Sequence, residues 1–270
     1  MIIALSVFSA LIIMFVIAKI IVAVQFNRQV KALFAHSDNR SGTKLNYLQL
    51  AHLPAPVQRY IKSVMPEGTS YIGCARLTHD GEFKTGLDKG WIKIKGEQYF
   101  ITSTPGFIWK GTTALFTATD MYSANQGKLM VRLFSLFKIM DSRGPEIDQG
   151  ELLRWLAESV WFPTNLLPNE HLSWNAIDDN RSELRFHFNA LQLSYIVTFS
   201  ASGEITELQT WRYMTKTRME IWIVRPSKYK RMNGIRIPTQ AEVMWRLAKM
   251  DYPYARFNVR QLEHEVASTF

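Results

Sequence analysis

Residues 2–26, IIALSVFSALIIMFVIAKIIVAVQF, form an apolar run with one charge, Lys19. As a helix the run spans roughly 30 Å of hydrocarbon, which limits the chain to a membrane-associated design. A cleaved signal would carry a basic start, a shorter apolar core and a small-residue cleavage site. None of these is legible here, so residues 1–26 are expected to be an uncleaved transmembrane anchor. Lys19 would snorkel to the interface. Arg28, Lys31, Arg40 and Lys44 follow the run. By the positive-inside rule they lean the remainder of the chain toward the cytoplasmic side of a single-pass protein in the plasma or inner membrane.

Residues 27–52 read as a juxtamembrane helix continuing to about residue 35, then a polar linker around His36–Gly42. From residue 53 the pattern is that of one β-rich domain reaching residue 270. Leu53-Pro-Ala-Pro opens a short helix with Val57, Tyr60, Ile61 and Val64 on one face. From about residue 70 the hydrophobic period becomes two. Asp80-Gly81, Asn125-Gln-Gly127 and Asn233-Gly234 read as hairpin turns. Residues 107–119 and 128–140 read as long strands. Spacing of strands and turns predicts an antiparallel meander of roughly ten or more strands.

One helix interrupts the strands. Asp148-Gln-Gly-Glu151 has the spacing of a capping box, and the helix is expected to run to about Phe162, before Pro163. It is apolar on most sides, which predicts an enclosed position. The fold class is therefore α+β, mainly antiparallel: a curved sheet or half-barrel wrapping a central helix, behind an N-terminal transmembrane helix.

The motif LLRWLAESVWFPTNLLP over residues 152–168 resembles the signature of an uncharacterised bacterial family, a domain of unknown function. The resemblance extends through Leu53–Tyr60, Phe107–Trp109, Asp120–Tyr122, Trp211–Tyr213, Gly234–Pro238 and Glu242–Trp245. It implies a shared fold and brings no activity with it. The segment Arg225-Pro-Ser-Lys-Tyr-Lys-Arg231 departs from the family pattern. The sheet-around-helix plan is also similar in outline to the lipoprotein carriers of the bacterial envelope, half-barrels that hold acyl chains; fold analogy alone does not give function.

Chemistry-bearing patterns are few. The single cysteine, Cys74, excludes an intramolecular disulfide and sits in an apolar run. The six histidines show no metal-ligand spacing, and no cofactor or metal is expected. His79-Asp80 is expected to be solvated at a turn. With 32 basic against 23 acidic residues the chain carries a formal charge of +9. The basic residues are dispersed except for Arg225, Lys228, Lys230, Arg231 and Arg236, read as a loop near a hairpin tip that could meet anionic headgroups. No nucleic-acid recognition element accompanies them.

Glu151, Arg154 and Glu158 share a helical stripe. They read either as an ion network orienting the helix or as the polar end of a ligand cavity, with Arg154 holding an anionic group. Arg212 and Glu242 could join them from strands or simply pair across strands. Trp109, Trp155 and Trp161 are candidate apolar walls. The leading expectation is non-catalytic binding of a lipid or other apolar ligand, apolar or anionic, beside the bilayer. An enzyme acting on an amphipathic substrate through Glu158, or a structural scaffold, remain the alternatives.

Overall fold

The computed structural model describes residues 2–40, 42–248 and 250–270. Helix α1 (Ile2–Phe34) carries the apolar run and continues without a break into the segment after it. Within it, residues 12–34 are long and apolar enough to cross a membrane. Its last turns do not stand free. Phe26, Val30, Leu33 and Phe34 are buried against Cys74, Tyr99, Ile101 and Ile108 on one face of the sheet.

A 3-10 turn (Tyr47–Leu50) is capped by the Asn46 side chain, which accepts from the Leu48 amide at 2.9 Å. Leu45 and Leu50 belong to the main core. Helix α2 (Ala55–Val64) begins behind Pro54 and buries Val57, Tyr60, Ile61 and Val64, the face its spacing predicts.

Among the described residues thirteen antiparallel strands form one curved sheet: β1 (Cys74–Phe83), β2 (Ile92–Ile101), β3 (Gly106–Thr112), β4 (Phe116–Ser123), β5 (Gln126–Leu133), β6 (Phe137–Ser142), β7 (Leu172–Ala176), β8 (Arg181–Phe188), β9 (Leu191–Phe199), β10 (Ile205–Thr215), β11 (Arg218–Met232), β12 (Ile235–Leu247) and β13 (Met250–His264). The order is β6-β5-β4-β3-β2-β1-β13-β12-β11-β10-β9-β8-β7. Two meanders thus meet where the first and last strands pair, Leu77 opposite Leu262. The segment joining the two meanders contains α3 (Pro145–Glu158), followed by 3-10 turns at Ser159–Trp161 and Pro163–Leu166. Enclosing α3 satisfies both partners: the helix buries Leu152, Leu153, Trp155 and Leu156, and the sheet covers its inner apolar face.

Several local expectations give way to the tertiary structure. Asp80-Gly81 is no hairpin; both residues lie inside β1. Glycine is needed there because a Cβ would run into the Arg256 carbonyl of the neighbouring strand. Residues 107–119 and 128–140 each fold back on themselves. The second contains the β5–β6 turn, in which Phe134 and Ser135 have positive φ of 52° and 62°. Asp148 and Glu151 are not a capping box. The helix starts earlier, behind Gly144, and Asp148 accepts instead from the Gly127 amide at 2.6 Å, fastening α3 to β5. The basic segment 225–231 is strand β11 rather than a loop, with Arg225 bonded to Glu207 at 2.9 Å and Arg236 paired with Glu204. His79 is buried, 5% exposed, not solvated at a turn.

Candidate ligand cavity

Between α3 and the concave face of the sheet lies a cavity of about 530 Å³. Its walls are mainly apolar: Ile94, Trp109 and Ala118 from β2–β4, Leu129 and Val131 from β5, Trp222 and Val243 from β11 and β12. Helix α3 turns Arg154, Ala157 and Glu158 toward it, at the i, i+3, i+4 spacing of one helical face, and the 3-10 turn that follows adds Val160 and Trp161. A more open cleft of about 900 Å³, lined by Asp80, Lys93, Lys95, Glu242 and Arg256, adjoins it through Ile94, Ala241 and Phe257.

The register explains how the polar end is assembled. Gln98, Trp109 and Asp120 sit directly opposite one another on β2, β3 and β4, in one row on the concave face. Arg154 descends onto this row from α3. Its Nη1 donates to Asp120 Oδ2 at 2.6 Å and its Nε to Glu158 Oε1 at 2.9 Å. Its Nη2 reaches Gln98 Oε1 at 3.5 Å, and Gln98 Nε2 donates to Glu158 Oε2 at 2.5 Å. The guanidinium lies 4.8 Å from the centre of the Trp109 ring, a cation–π contact out of bulk water. Burial opposes the charge on Arg154, but Glu158, Asp120 and Glu151 outweigh it and hold its pKa above the ordinary value.

Three of the five Arg154 N–H donors are thus directed at Asp120, Glu158 and Gln98. Glu158 likewise spends both oxygens on Arg154 and Gln98. Burial raises the pKa of Glu158 and of Asp120, in each case against the pull of Arg154.

Arg212 is different. It lines the same cavity from β10, lies 4.4 Å from the Trp222 ring and approaches Glu151 Oε1 only at 3.7 Å. The absence of a side chain at Gly150 leaves it room, since a Cβ there would sit 3.1 Å from Arg212 Nε. Asp120 Oδ1 and Glu151 Oε2 are buried without a hydrogen-bond partner. Burial, with Asp120 adding to it, pushes the Glu151 carboxyl up to about 8. The Glu151 carboxyl therefore holds its proton well above the ordinary carboxylate range.

Behind Trp109 stands His79. The indole Nε1 donates to His79 Nε2 at 2.7 Å, which requires a neutral imidazole protonated on Nδ1. Burial, and then the positive charge of Arg154, lower the His79 pKa to about 4. Gly96 and Gly111 make space for this pair; a Cβ at either would strike the His79 or Trp109 ring.

The structure brings five of the six sequence-predicted site residues, Arg154, Glu158, Arg212, Trp109 and Trp161, to one cavity. Trp155 is placed elsewhere: it packs on Phe186 at 5.7 Å between ring centres and donates to the Ile101 carbonyl at 3.0 Å. Glu242 pairs across strands with Arg256 at 2.8 Å and does not join the polar cluster. Asp120, Gln98 and His79 had not been singled out as site residues. Their signal was present in the alternation, because Gln98 and Asp120 occupy positions whose i±2 neighbours, Phe100, Ala118 and Tyr122, are buried. Among the described residues no cluster of His, Cys, Asp and Glu is arranged to hold a metal ion.

Fold and site together define an open antiparallel half-barrel with a helix laid in its concavity and a partly filled apolar interior. Two solved structures share its outline. A LolA superfamily protein from Nitrosomonas europaea superposes with a TM-score of 0.44 at 10% identity, covering 78% of this chain and 93% of that one. A DUF1329 family protein from Desulfovibrio piger superposes with a TM-score of 0.37 at 11% identity, covering 80% and 95%. No curated protein matches the sequence. The model of a family of unknown function, DUF6544, matches residues 44–257, and the chain belongs to that family.

Proposed function

We propose that this protein is a membrane-tethered, non-catalytic carrier or sensor that holds a lipid, or another apolar ligand with one polar end, between α3 and the sheet. The observation that carries this reading is the composition of the cavity: apolar walls, with Arg212 and the unpartnered Asp120 Oδ1 at one end. A drug-sized or acyl ligand needs apolar enclosure with a few convergent polar groups. Arg212 supplies donors that are not already committed, so we assign it the ligand's phosphate or carbonyl oxygens. The Arg154 network forms the floor that fixes Asp120 and Trp109. The locked geometry of Glu158 weighs against acid–base chemistry, which would need a carboxylate free to exchange its proton with a substrate.

Helix α1 serves in this reading as a single-pass anchor in the cell membrane. Arg28 and Lys31, just past the apolar run of residues 2–26, favour a cytoplasmic domain.

Lipid extraction from the purified full chain, compared with Ala118→Phe, tests the proposal. Ala118 lines the cavity, so the added ring fills the space a ligand would occupy while α1 and its surrounding lipid are unchanged. A stoichiometric lipid on the wild type that is lost from a folded Ala118→Phe variant is the expected result. Equal lipid content in the two would sink the reading.

A further inference from the structure

The turns β1–β2, β3–β4, β5–β6, β10–β11 and β12–β13 all emerge at one end of the sheet. The pairing requires it: Lys95 lies opposite Thr112, Phe116 opposite Leu133, and Phe83 opposite both Ile92 and Ala255. The cavity lining runs out to this end through Phe83, Lys84, Thr85 and Phe116. It is therefore the rim.

Exposed apolar side chains gather on the rim. Leu87, Leu115, Phe134, Phe137, Ile139 and Met250 are 46–63% exposed. Outside α1, only Leu48, Ile177 and Phe270 among the described large exposed apolar residues lie away from the rim or the strand segments leading to it. The Phe134 amide donates to the Leu115 carbonyl at 2.6 Å, so two of these tips form one surface. A patch of this kind marks a contact with something apolar.

The packing of α1 says what that is. Ser103, in the β2–β3 turn at the far end of the sheet, donates to the His36 carbonyl at 3.0 Å, just past the end of α1. A Cβ at Gly106 would sit 3.0 Å from Leu33, and the Lys110 ammonium lies 4.0 Å from the centre of the Phe26 ring. As β3 advances from 106 to 110, α1 is thus read backwards from 33 to 26. Rises of about 3.3 Å and about 1.5 Å per residue make those two paths of similar length. Beyond Lys110 the strand continues toward Leu115, and α1 continues toward its exposed apolar stretch, Val24 back to Ile12. Both lead the same way.

We propose that the rim docks on, and partly inserts into, the bilayer that α1 crosses, so that the cavity mouth opens onto the lipid surface. Buried contacts between α1 and the sheet hold the domain in this orientation rather than leaving it on a free tether. The proposal rests on the anchor reading of α1 but does not require any particular ligand. An acyl chain could then pass between leaflet and cavity without crossing water.

The test uses the full chain reconstituted in phosphatidylcholine–phosphatidylglycerol vesicles. Single cysteines replace Leu115, Phe137 or Met250 on the rim, or Ile177 at the β7–β8 turn at the opposite end, and carry an environment-sensitive fluorophore. The buried native Cys74, its thiol pushed up to about 11 mainly by burial, stays unlabelled. Blue-shifted emission from the three rim sites, quenched by brominated lipid, with Ile177 quenched only by aqueous iodide, is the expected result. Rim sites as accessible to iodide as Ile177 would overturn the proposal. Membrane-inserted rim sites around a cavity that extracts no lipid would leave this inference standing and defeat the ligand reading. A lipid-filled cavity behind a water-exposed rim would do the reverse.

Discussion

Trp155, in the last turns of α3, and Trp161, in the 3-10 turn just past its end, have opposite surroundings. Trp155 is enclosed by Phe186 and by the Ile101 carbonyl it bonds to. Trp161 packs on Phe100 and donates to the Pro238 carbonyl at 3.1 Å, yet it also borders the cavity. Near Trp155 the helix meets a close-packed interior, in which the Tyr195 hydroxyl donates to the Leu153 carbonyl at 3.0 Å. On the Trp161 side, small residues Ala118, Ala157, Ala241 and Ala255 leave space. Both indoles are 5% exposed or less. Burial measures removal from water, whereas packing measures what replaces the water, and only the second separates a core from a binding site.

That contrast can be broken most directly at the tryptophans. Trp155→Ala should cost about 3–5 kcal/mol, because it leaves a void within close-packed surroundings. Trp161→Ala should cost less, since it widens space that already exists and forfeits contacts on one side only. Chemical unfolding of both variants checks the order; equal losses would show the cavity side to be as well packed as the other.

Arg154→Met should destabilise by about 3 kcal/mol or more, because Asp120 and Glu158 would keep buried charge without a partner. Adding Asp120→Asn should restore part of the loss. A melting temperature unchanged in Arg154→Met would mean that the network is not structural.

Glu151 gives a pH-dependent test. Its folded pKa of about 8 stands above the ordinary 4.5. Its contribution to stability is therefore full below pH 4.5, declines as the unfolded chain alone releases the proton, and is lost through pH 8. The decline should be on the order of 5 kcal/mol, about 1.4 kcal/mol per pH unit across that window. Glu151→Gln, neutral at every pH, should flatten that slope; an unaltered profile would refute the assignment. The His79 imidazole has the opposite sign. Its folded pKa of about 4 lies below the ordinary 6.5, so its contribution is lost as pH falls through that window.

Arg212→Met should change stability least, by about 1 kcal/mol or less, since the only ion pair it loses is the 3.7 Å approach to Glu151. It should nevertheless reduce bound lipid. Retained lipid in a folded Arg212→Met variant would remove Arg212 from the proposed site.

Helices were legible in the sequence wherever a local pattern sufficed. The apolar face of α2 and the continuation of α1 past the apolar run are properties of consecutive residues, and so is the enclosed character of α3. The Asp148–Glu151 spacing misled because β5 offered Asp148 a better donor than the helix start did, the Gly127 amide. Asp80-Gly81 misled because glycine answers a close strand crossing as well as it answers a turn.

Of the site, the sequence alone determined that Glu151, Arg154 and Glu158 share one helical stripe, because helical spacing is fixed by the backbone. It also determined that aromatic residues would be plentiful enough to wall an interior. Only the tertiary structure decided that Gln98, Trp109 and Asp120 stand in one row beneath Arg154, that Arg212 faces the cavity while Glu242 does not, and that the rim points along α1. Those facts depend on strand register and on how α1 packs against the sheet. Both are set by contacts between residues far apart in the chain, which no local spacing records.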